Sequence, residues 1–237
     1  MPAKPIVGTL VDTGHALYTN LWGSWLFNEG SGTTAANSQG SSGRNITLDL
    51  TSIVWGTTTN FTSGAALVCS SNPTVAVGGV FSGPTLSGTW SVEVWFKNGA
   101  SDTYGSMCSQ DGTRGLFLHA NRADYYQGTF YDDPTAFSVG SNYQWVLTYD
   151  GVSLRYYSNG SLSYTTGLGG ASFTPNSIIN DNATETFVGT YDLLRVWQSR
   201  TLTGPEVSSL FTDPFGMYTA STPSIVIPSL FNAGRCL

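Results

Sequence analysis

The chain has 237 residues, a length that suits one large all-β domain or two small ones. Charged residues make up 10% of it, where about 25% is usual. The net charge is −6 and no Lys/Arg cluster occurs, which excludes the basic surface of a nucleic-acid-binding protein.

The cysteines and the hydrophobic segments indicate the compartment. Cys69, Cys108 and Cys236 lack the spacing of a zinc or redox site, so we expect free thiols, with one disulfide as the alternative. Residues 1–20 lack the apolar core of a signal peptide, and no segment approaches the roughly 20 apolar residues of a membrane span. We therefore expect synthesis in the cytoplasm without a signal peptide, and no association with membranes.

The first third of the chain is interpreted as an arm followed by short strands. Residues 1–20 form the N-terminal arm, because Pro2 and Pro5 discourage regular structure. An apolar strand, residues 21–27, opens the body, which extends to residue 216. A loop over residues 28–43 precedes strands at 46–50, 53–55, 65–69 and 74–77.

The segment WSVEVWFK (residues 90–97) alternates most clearly. Trp90, Val92, Val94 and Phe96 share one side, and one side of such a strand must face the core. The other side carries an aromatic ring between charged residues. We expect it to line a wetter, concave face.

The middle of the chain predicts hairpins. Strands at residues 115–119 and 128–131 flank a loop over 120–127, and strands at 144–149 and 154–158 flank the turn Asp150-Gly151. Asn159-Gly160 is the strongest short hairpin signal. A two-residue turn there sets three pairs opposite each other: Ser158 with Ser161, Tyr157 with Leu162, and Arg155 with Tyr164 at cation–π distance.

The last third predicts two strands, one helix and a second arm. The strands cover residues 186–188 and 192–198. Thr203 and Glu206 fit a capping box for a helix over 204–211, which Asp213-Pro214 ends. Residues 217–237 form the C-terminal arm, whose apolar side chains should be buried on a neighbouring molecule or on the body: Ile225, Val226, Ile227, Leu230 and Phe231.

These elements predict an all-β fold, a two-sheet antiparallel sandwich or jelly roll with one short C-terminal helix and extended terminal arms. Four segments in this order resemble the laminin-G-like, concanavalin A-like superfamily: WLFNEGSGTTAANSQG, WSVEVWFK, YQWVLTYDGVSLRYYSNGSL and YDLLRVWQSRTLTGPEV. The resemblance covers residues 21–211. It implies two stacked, curved sheets with the first and last body strands adjacent. The flanking arm and the ending LFTDPFGMY resemble versions of this domain in bacteriophage proteins.

A calcium site is the one cofactor to consider. The resemblance implies that the fold brings Glu29, Asn37 and Asp192 together, and calcium takes oxygen ligands of this kind. Members of the family that bind calcium often carry Asp at the position of Asn37. Hydrogen bonding within loops is the alternative role for these residues, and we predict no metal and no cofactor.

Catalysis is not expected. Glycoside cleavage usually needs two carboxylates about 5–9.5 Å apart. Glu93 has no carboxylate two positions away on its strand, and Asp132 and Asp133 point to opposite faces. A pair built across strands stays open. The only histidines, His15 and His119, are assigned structural roles, so no catalytic residue is predicted and the chain is not expected to be an enzyme.

Glycan binding would use exposed aromatic rings beside polar groups, since a sugar face stacks on a ring while its hydroxyls bond to fixed partners. The mixed segments of this kind give five candidate residues: Tyr104, Tyr125, Tyr126, Tyr131 and Asp132. The alternative is that these tyrosines pack loops or subunit contacts.

We interpret the chain as a non-enzymatic structural protein of a phage virion, located on the virion surface: a capsid decoration, head-fibre or tail-associated subunit whose lectin-like body binds host-surface glycans. Its expected partners are further copies of itself, with a trimer favoured, and other virion proteins such as the major capsid protein. A free or cell-surface carbohydrate-binding module is the first alternative, and a glycan-cleaving enzyme is the second.

Overall fold

The computed structural model of the protein describes residues 1–51, 53–69, 78–100, 104–111, 113–179 and 186–218. These residues form two antiparallel sheets of eight strands each, stacked as a sandwich, and one α-helix. The predicted fold class is confirmed.

The first sheet is built from β1 (Leu21–Trp25), β4 (Val54–Thr57), β5 (Ala65–Cys69), β7 (Trp90–Asn98), β12 (Asn142–Tyr149), β13 (Ser153–Ser158), β14 (Ser161–Gly167) and β16 (Gly189–Gln198). The second is built from β2 (Thr34–Ala35), β3 (Ile46–Leu48), β6 (Gly79–Val80), β8 (Tyr104–Gln110), β9 (Arg114–His119), β10 (Arg122–Gln127), β11 (Phe130–Ala136) and β15 (Ser177–Ile178). Helix α1 (Gly204–Thr212) follows β16, and short 3-10 helices cover Ala16–Tyr18 and Ser42–Arg44.

Strand order explains how the ends of the body meet. The first sheet runs β14-β13-β12-β7-β16-β5-β4, and β1 pairs with β16, so the first and last body strands are adjacent as the resemblance implied. The second sheet runs β11-β10-β9-β8-β15-β6-β3-β2. The main core lies between the sheets and is rich in aromatic rings, including Trp90, Phe96 and Trp145.

The second sheet corrects one prediction. Residues 120–127 were expected to form a loop, but β10 occupies Arg122–Gln127 and pairs with both β9 and β11. The chain reverses through Ala120 and Asn121, which have φ of 50° and 61°. Alanine rarely adopts this left-handed conformation, so the sequence carries no turn signal here.

The β13–β14 hairpin confirms two predicted pairs and corrects the third. Ser158 pairs with Ser161 and Tyr157 with Leu162, as expected from the Asn159-Gly160 turn. A register shift then places Tyr164 opposite Tyr156 instead of Arg155. Arg155 forms an ion pair with Asp150 at 2.7 Å, so the expected cation–π contact was wrong.

The outer face of the first sheet is covered, which corrects the expectation of a wetter face on β7. Trp95 is 1% exposed and Glu93 is fully buried, because α1, the N-terminal arm and the residues that follow α1 up to Tyr218 form a second core over this face. Phe211 of α1 stacks on Trp95 with ring centroids 5.8 Å apart. The helix itself begins as predicted: the Glu206 carboxylate accepts the Thr203 backbone N–H at 2.8 Å.

A buried ion pair lies beneath this outer layer. Arg195 Nη1 donates to Glu93 Oε2 at 2.7 Å, and both side chains are fully buried. Trp95 Nε1 and Gln144 Nε2 donate to the other oxygen of Glu93, and Arg195 also donates to the Pro214 carbonyl. Every oxygen of the Glu93 carboxylate therefore has a donor, so its role is to join β7, β12 and β16 to the segment that follows α1.

The N-terminal arm is docked on the body. Val11 pairs with Tyr218, and the Asp12 N–H donates to the Met217 carbonyl at 2.8 Å. The domain boundaries stay a prediction. The C-terminal arm, with Ile225, Val226, Ile227, Leu230 and Phe231, lies outside the described residues beyond Tyr218.

Cys69 and Cys108 are buried, and Cys108 is a free thiol. Cys236 lies outside the described residues, as does the strand predicted at 74–77. Within the part of the chain that the structure describes, no helix has the length and hydrophobicity needed to cross a membrane.

Candidate functional site

Aromatic and acidic side chains gather on the outer face of the second sheet, where β8, β9, β10 and β11 lie side by side. Alternation along β9 turns Leu116 and Leu118 into the core and Phe117 and His119 outward. On the neighbouring strands Tyr104, Tyr126, Phe130 and Asp132 reach the same face, and we call this set with His119 the aromatic surface.

Three rings of the aromatic surface lie almost parallel. The His119 ring stacks on Phe130 with centroids 4.0 Å apart and planes inclined by 17°. It also stacks on Tyr104 at 5.2 Å and 7°. Tyr126 adds a fourth ring 4.7 Å from Phe130. Tyr104 is 37% exposed, so this stack of rings, which we call the platform, presents one partly exposed ring to solvent.

The platform has a polar edge. His119 Nδ1 lies 3.0 Å from Asp132 Oδ1, and both side chains are about a quarter exposed. This contact fixes the orientation of the imidazole ring and leaves the Asp132 carboxylate at the surface. A ligand stacked on the rings would meet a carboxylate that accepts hydrogen bonds from hydroxyl groups.

A second carboxylate lies directly below. Asp124 on β10 is the cross-strand partner of Asp132 on β11 and points to the same face, yet it is fully buried. Its Oδ1 accepts the Tyr131 N–H at 2.7 Å, while its Oδ2 has no hydrogen-bond partner among the described residues. Burial, with the charge of Asp132 adding to it, raises the pKa of Asp124 to about 8. Asp124 therefore holds its proton to a much higher pH than an ordinary carboxyl group.

The five residues that the sequence suggested for glycan binding do not all lie in one place in the structure. It brings Tyr104, Tyr126 and Asp132 together on the aromatic surface. Tyr125 was wrong as a sugar contact, since it faces the main core with no exposed surface and packs against Trp90. Tyr131 is half-buried and packs on the same core, so it is not part of the surface.

Sequence reasoning missed His119 and Phe130 as members of this surface. His119 was assigned a structural role, and the stacking of its ring depends on the β8–β9 register that pairs it with Tyr104. The mixed segment Phe130-Tyr131-Asp132 was the available signal, since alternation puts its first and third residues on one face.

The three calcium candidates do not form a metal site. Asp192 lies in the middle of β16, where its Oδ2 accepts a hydrogen bond from Asn60 at 2.6 Å and its Oδ1 lies 3.3 Å from the Lys4 ammonium. Asn37 Oδ1 accepts the Ser24 and Gln39 N–H groups. The Asn37 amide nitrogen therefore points away from these donors, and a nitrogen donor repels a metal ion. No cluster of three or more potential metal ligands occurs within the described ranges.

A lysine supplies the positive charge instead. Lys4 Nζ donates to the carbonyls of Leu26 at 2.8 Å, Ala65 at 2.5 Å and Asp192 at 2.7 Å, and its side chain is fully buried. Burial lowers the pKa of Lys4 to about 8, and Asp192 opposes this shift. This oxygen cage holds the N-terminal arm against β1, β5 and β16.

Comparison with family models gives one match. Residues 70–208, more than half of the chain, match the model described as the concanavalin A-like lectin/glucanases superfamily. The matched region includes the whole aromatic surface. A comparison with curated proteins gives no match.

Several solved structures share the fold. Domain 4 of AbnA, an extracellular arabinanase from Geobacillus stearothermophilus in complex with arabinotriose, is 16% identical with a TM-score of 0.58, over 81% of this chain and 98% of that one. The binding domain of Paraclostridial Mosquitocidal Protein 1 is 13% identical with a TM-score of 0.63, over 84% of this chain and 53% of that one. Trypanosoma rangeli sialidase in complex with sialic acid is 13% identical with a TM-score of 0.57, over 85% of this chain and 34% of that one. At these identities the likeness extends to the fold alone.

Proposed function

The chain belongs to the concanavalin A-like lectin/glucanases superfamily, and from this premise we propose that it binds carbohydrate without cleaving it, as a structural subunit on the surface of a phage virion. The aromatic surface carries the proposal. It combines the exposed ring of Tyr104, held by a stack of near-parallel rings, with a carboxylate at the edge of the stack, the two elements that a sugar face and its hydroxyl groups require.

The absence of cleavage is proposed from the burial of Asp124. Glycoside hydrolysis uses a pair of carboxyl groups, and Asp124 and Asp132 lie opposite each other on neighbouring strands. A general acid must reach the glycosidic oxygen. Asp124 has no exposed surface, so it is closed off from a stacked sugar. Asp132 alone supplies a hydrogen-bond acceptor.

Binding is tested with Tyr104→Ala, which removes the most exposed ring of the platform. The probes are arabinotriose, N-acetylneuraminic acid and a glycan array, measured by calorimetry and array fluorescence. We expect the native chain to bind and Tyr104→Ala to weaken binding about tenfold, which corresponds to about 1.4 kcal/mol of lost contact with the ring.

Leu162→Ala is the matched control, because it removes an exposed apolar side chain of the first sheet. It should bind like the native chain. Equal binding by the native chain and Tyr104→Ala would contradict the proposal, as would the release of reducing ends from any bound glycan by the native chain.

The virion assignment rests on the resemblance of both flanks to phage versions of the domain. Immunogold electron microscopy of purified particles, with antibody raised against this chain, tests it. Labelling of the particle surface is expected on heads, fibres or tails. Particles that carry no label, and no peptide of this chain by mass spectrometry, would overturn the virion assignment. The alternative, a free or cell-surface carbohydrate-binding module, would then stand.

The oligomer is proposed from the apolar C-terminal arm. Burying its five large apolar side chains gains roughly 1.5–3 kcal/mol each before ordering costs, and addition of a strand to a neighbour's sheet would also pair the backbone. Deletion of residues 219–237 should convert a trimer to monomers in analytical ultracentrifugation while the body stays folded. An unchanged sedimentation coefficient, apart from the lost mass, would contradict this role.

A further inference from the structure

Apolar side chains are exposed together in one short loop of the N-terminal arm. The loop covers residues 6–10, and we call it the apolar loop. Ile6 is 67% exposed, Val7 57% and Leu10 50%. Single exposed apolar side chains are ordinary on protein surfaces, whereas contiguous ones mark interaction sites. The loop carries no charged residue, so it fits an apolar, uncharged partner.

The apolar loop is held in shape at both ends and in its middle. The carbonyl of Pro5 before it and the N–H of Val11 after it are both hydrogen-bonded to the body, at 2.7 and 2.9 Å. Within it the Thr9 N–H donates to the Ile6 carbonyl at 3.1 Å, and the φ of 85° at Gly8 suits the third position of a type II turn. A loop that is already fixed loses little conformational entropy when a partner covers it.

The pairing of Val11 with Tyr218 sets the course of the chain that follows it. The pair is antiparallel. The chain after Tyr218 therefore starts out alongside the residues that precede Val11, because the two chains of an antiparallel pair run in opposite directions. Those residues are the apolar loop. Its turn interrupts the extended backbone, so side chains and not backbone groups are available for contact there.

The C-terminal arm brings apolar residues within reach of the apolar loop. Ile225 follows Tyr218 by seven residues, which span up to about 23 Å when extended. Ile6 precedes Val11 by five residues, at most about 17 Å on the same measure. Residues 219–231 carry no charge, as the loop carries none. A segment tethered this closely has a high effective concentration at the loop.

A pocket beside the apolar loop gives depth for one side chain. Its volume is about 240 Å³, several times the roughly 30 Å³ that one water molecule occupies in the liquid. Leu10 of the loop and Leu26 and Ala36 of the body form its apolar wall, and polar residues of the segment 28–45 complete it. An aliphatic side chain placed against this wall would bury apolar surface of both the arm and the body.

We propose that the C-terminal arm of the same chain docks on the apolar loop, with residues 225–227 lying across Ile6 and Val7. The direction of the chain after Tyr218, its reach and the shared lack of charge all favour this occupant. The arm of a neighbouring copy lacks the tether that the Val11 pairing provides.

Docking on the loop uses only one side of the arm. In an extended segment Ile225 and Ile227 share one side, and Val226 faces the other. Val226, with Leu230 and Phe231 further along, then remains for the neighbouring copy in the oligomer proposed above. Docking within one chain does not depend on that oligomer, so the two ideas fail separately.

Disulfide trapping in the full chain tests the docking. Val7→Cys and Ile225→Cys are combined with Cys236→Ser, which removes the arm's own thiol. After oxidation with copper phenanthroline, electrophoresis without reductant and peptide mass mapping should show a disulfide within one chain, at the mobility of a monomer. Val152→Cys in place of Val7→Cys is the matched control, since Val152 is also exposed but follows β12, three pairings from β1 in the first sheet. We expect it to form the disulfide at least tenfold more slowly.

Hydrogen exchange gives a second readout that needs no added cysteine. Amides of residues 224–227 should exchange at least tenfold more slowly in the full chain than in a synthetic peptide of residues 219–237. The double change Ile6→Ser and Val7→Ser should remove this protection. Both side chains are exposed, so the body stays folded, which circular dichroism checks. Val152→Ser is the matched control and should keep the protection.

The proposal is overturned if the disulfide forms only between chains, if Val152→Cys reacts as fast as Val7→Cys, or if the arm exchanges at the rate of the free peptide. It is also overturned if the double serine variant keeps the protection. Sedimentation of the same samples separates docking from assembly. A disulfide within a monomer supports docking and contradicts the trimer, whereas disulfides formed only between the chains of a trimer do the reverse.

Discussion

The two outer faces of the sandwich have similar side chains and different surroundings. The first sheet carries Glu93 and Trp95 on its outer face, and the second carries Asp124 and Tyr104 on its own. Helix α1, the N-terminal arm and the residues after α1 up to Tyr218 cover the first face, so Trp95 is buried and each oxygen of Glu93 has a donor. The second face keeps an exposed ring and an acid with one unpaired oxygen. The covered face is a second core, and the open face is the candidate binding surface.

This comparison separates two uses of a buried carboxylate. Glu93 is paired with Arg195 and two further donors, which is the arrangement of a structural ion pair. Asp124 forms no ion pair with any residue that the structure describes, and its burial together with the charge of Asp132 raises its pKa. The first carboxylate therefore contributes to joining strands, while the second makes the open face sensitive to pH.

The largest expected effect is on the covered face. Glu93→Gln replaces an acceptor that serves Arg195, Trp95 and Gln144, and it leaves the Arg195 charge buried without a carboxylate. The free energy of unfolding should fall by about 3–5 kcal/mol, measured by urea denaturation. Asp132→Asn on the open face is the control and should change it by less than about 1 kcal/mol. Similar losses in the two variants would show that the faces do not differ.

Lys4→Met tests how the N-terminal arm is held on the covered face. It removes the ammonium from the carbonyls of Leu26 and Ala65 and from the Asp192 carboxylate, so buried acceptors lose their donor. We expect a loss of about 1–3 kcal/mol in the free energy of unfolding. Hydrogen exchange should also increase at the amides of the arm, such as Val11. An arm that stays equally protected would mean that Lys4 does not hold it.

The same variant tests a pH dependence with a definite sign. The pKa of Lys4 is about 8 in the folded chain, whereas the ordinary value of an exposed lysine, as in the unfolded chain, is 10.5. Between these values the unfolded chain holds a proton that the folded chain has released, so the Lys4 contribution to stability rises with pH. Lys4→Met should lack this rise, as seen by denaturation at pH values on both sides of the window.

Asp124→Asn tests the open face and has the opposite sign. The folded pKa of about 8 lies above the ordinary value of 3.8, so the folded chain holds the proton longer. The Asp124 contribution to stability is fully present below 3.8 and is lost as pH rises through about 8. Asparagine stays neutral, so the stability of the variant should not fall over this pH range. The difference in free energy of unfolding between the variant and the native chain should therefore move in favour of the variant as the pH rises. Parallel profiles for both chains would contradict the raised pKa.

The smallest expected effect is that of Tyr104→Ala on stability. Tyr104 is partly exposed, so the free energy of unfolding should change by about 0.5 kcal/mol or less while glycan binding falls. Trp95→Ala is the matched aromatic change on the covered face and should cost about 3–5 kcal/mol. A large loss of stability in Tyr104→Ala would mean that the ring serves packing instead of binding.

The sequence was sufficient for the fold where local signals are strong. Asn159-Gly160 predicts the β13–β14 turn and the two pairs next to it, because both residues accept positive φ. The capping box predicts the start of α1. The bulge near Ser163 could not be predicted, because it depends on hydrogen bonds from this side chain to Asp133 and to the Tyr156 carbonyl across strands.

The candidate site was predictable only in part, for the same reason. Composition indicated Tyr104, Tyr126 and Asp132, but the missing turn signal at Ala120-Asn121 hid β10 and so placed Tyr125 wrongly on the surface. Alternation along β7 could show that its two faces differ. It could not show that a helix more than a hundred residues later would cover the polar one.

The pairing of Val11 with Tyr218 has a mechanical consequence. Tension applied between these two residues acts across a short distance, because they are already neighbours. The load would be shared between the Asp12–Met217 hydrogen bond and the bonds that tie each residue to the body, from the Val11 N–H to the Ser38 carbonyl and between the Tyr218 and Ser24 hydroxyl groups. A pull on Val11 and Tyr218 would therefore load these few contacts before the length of either sheet.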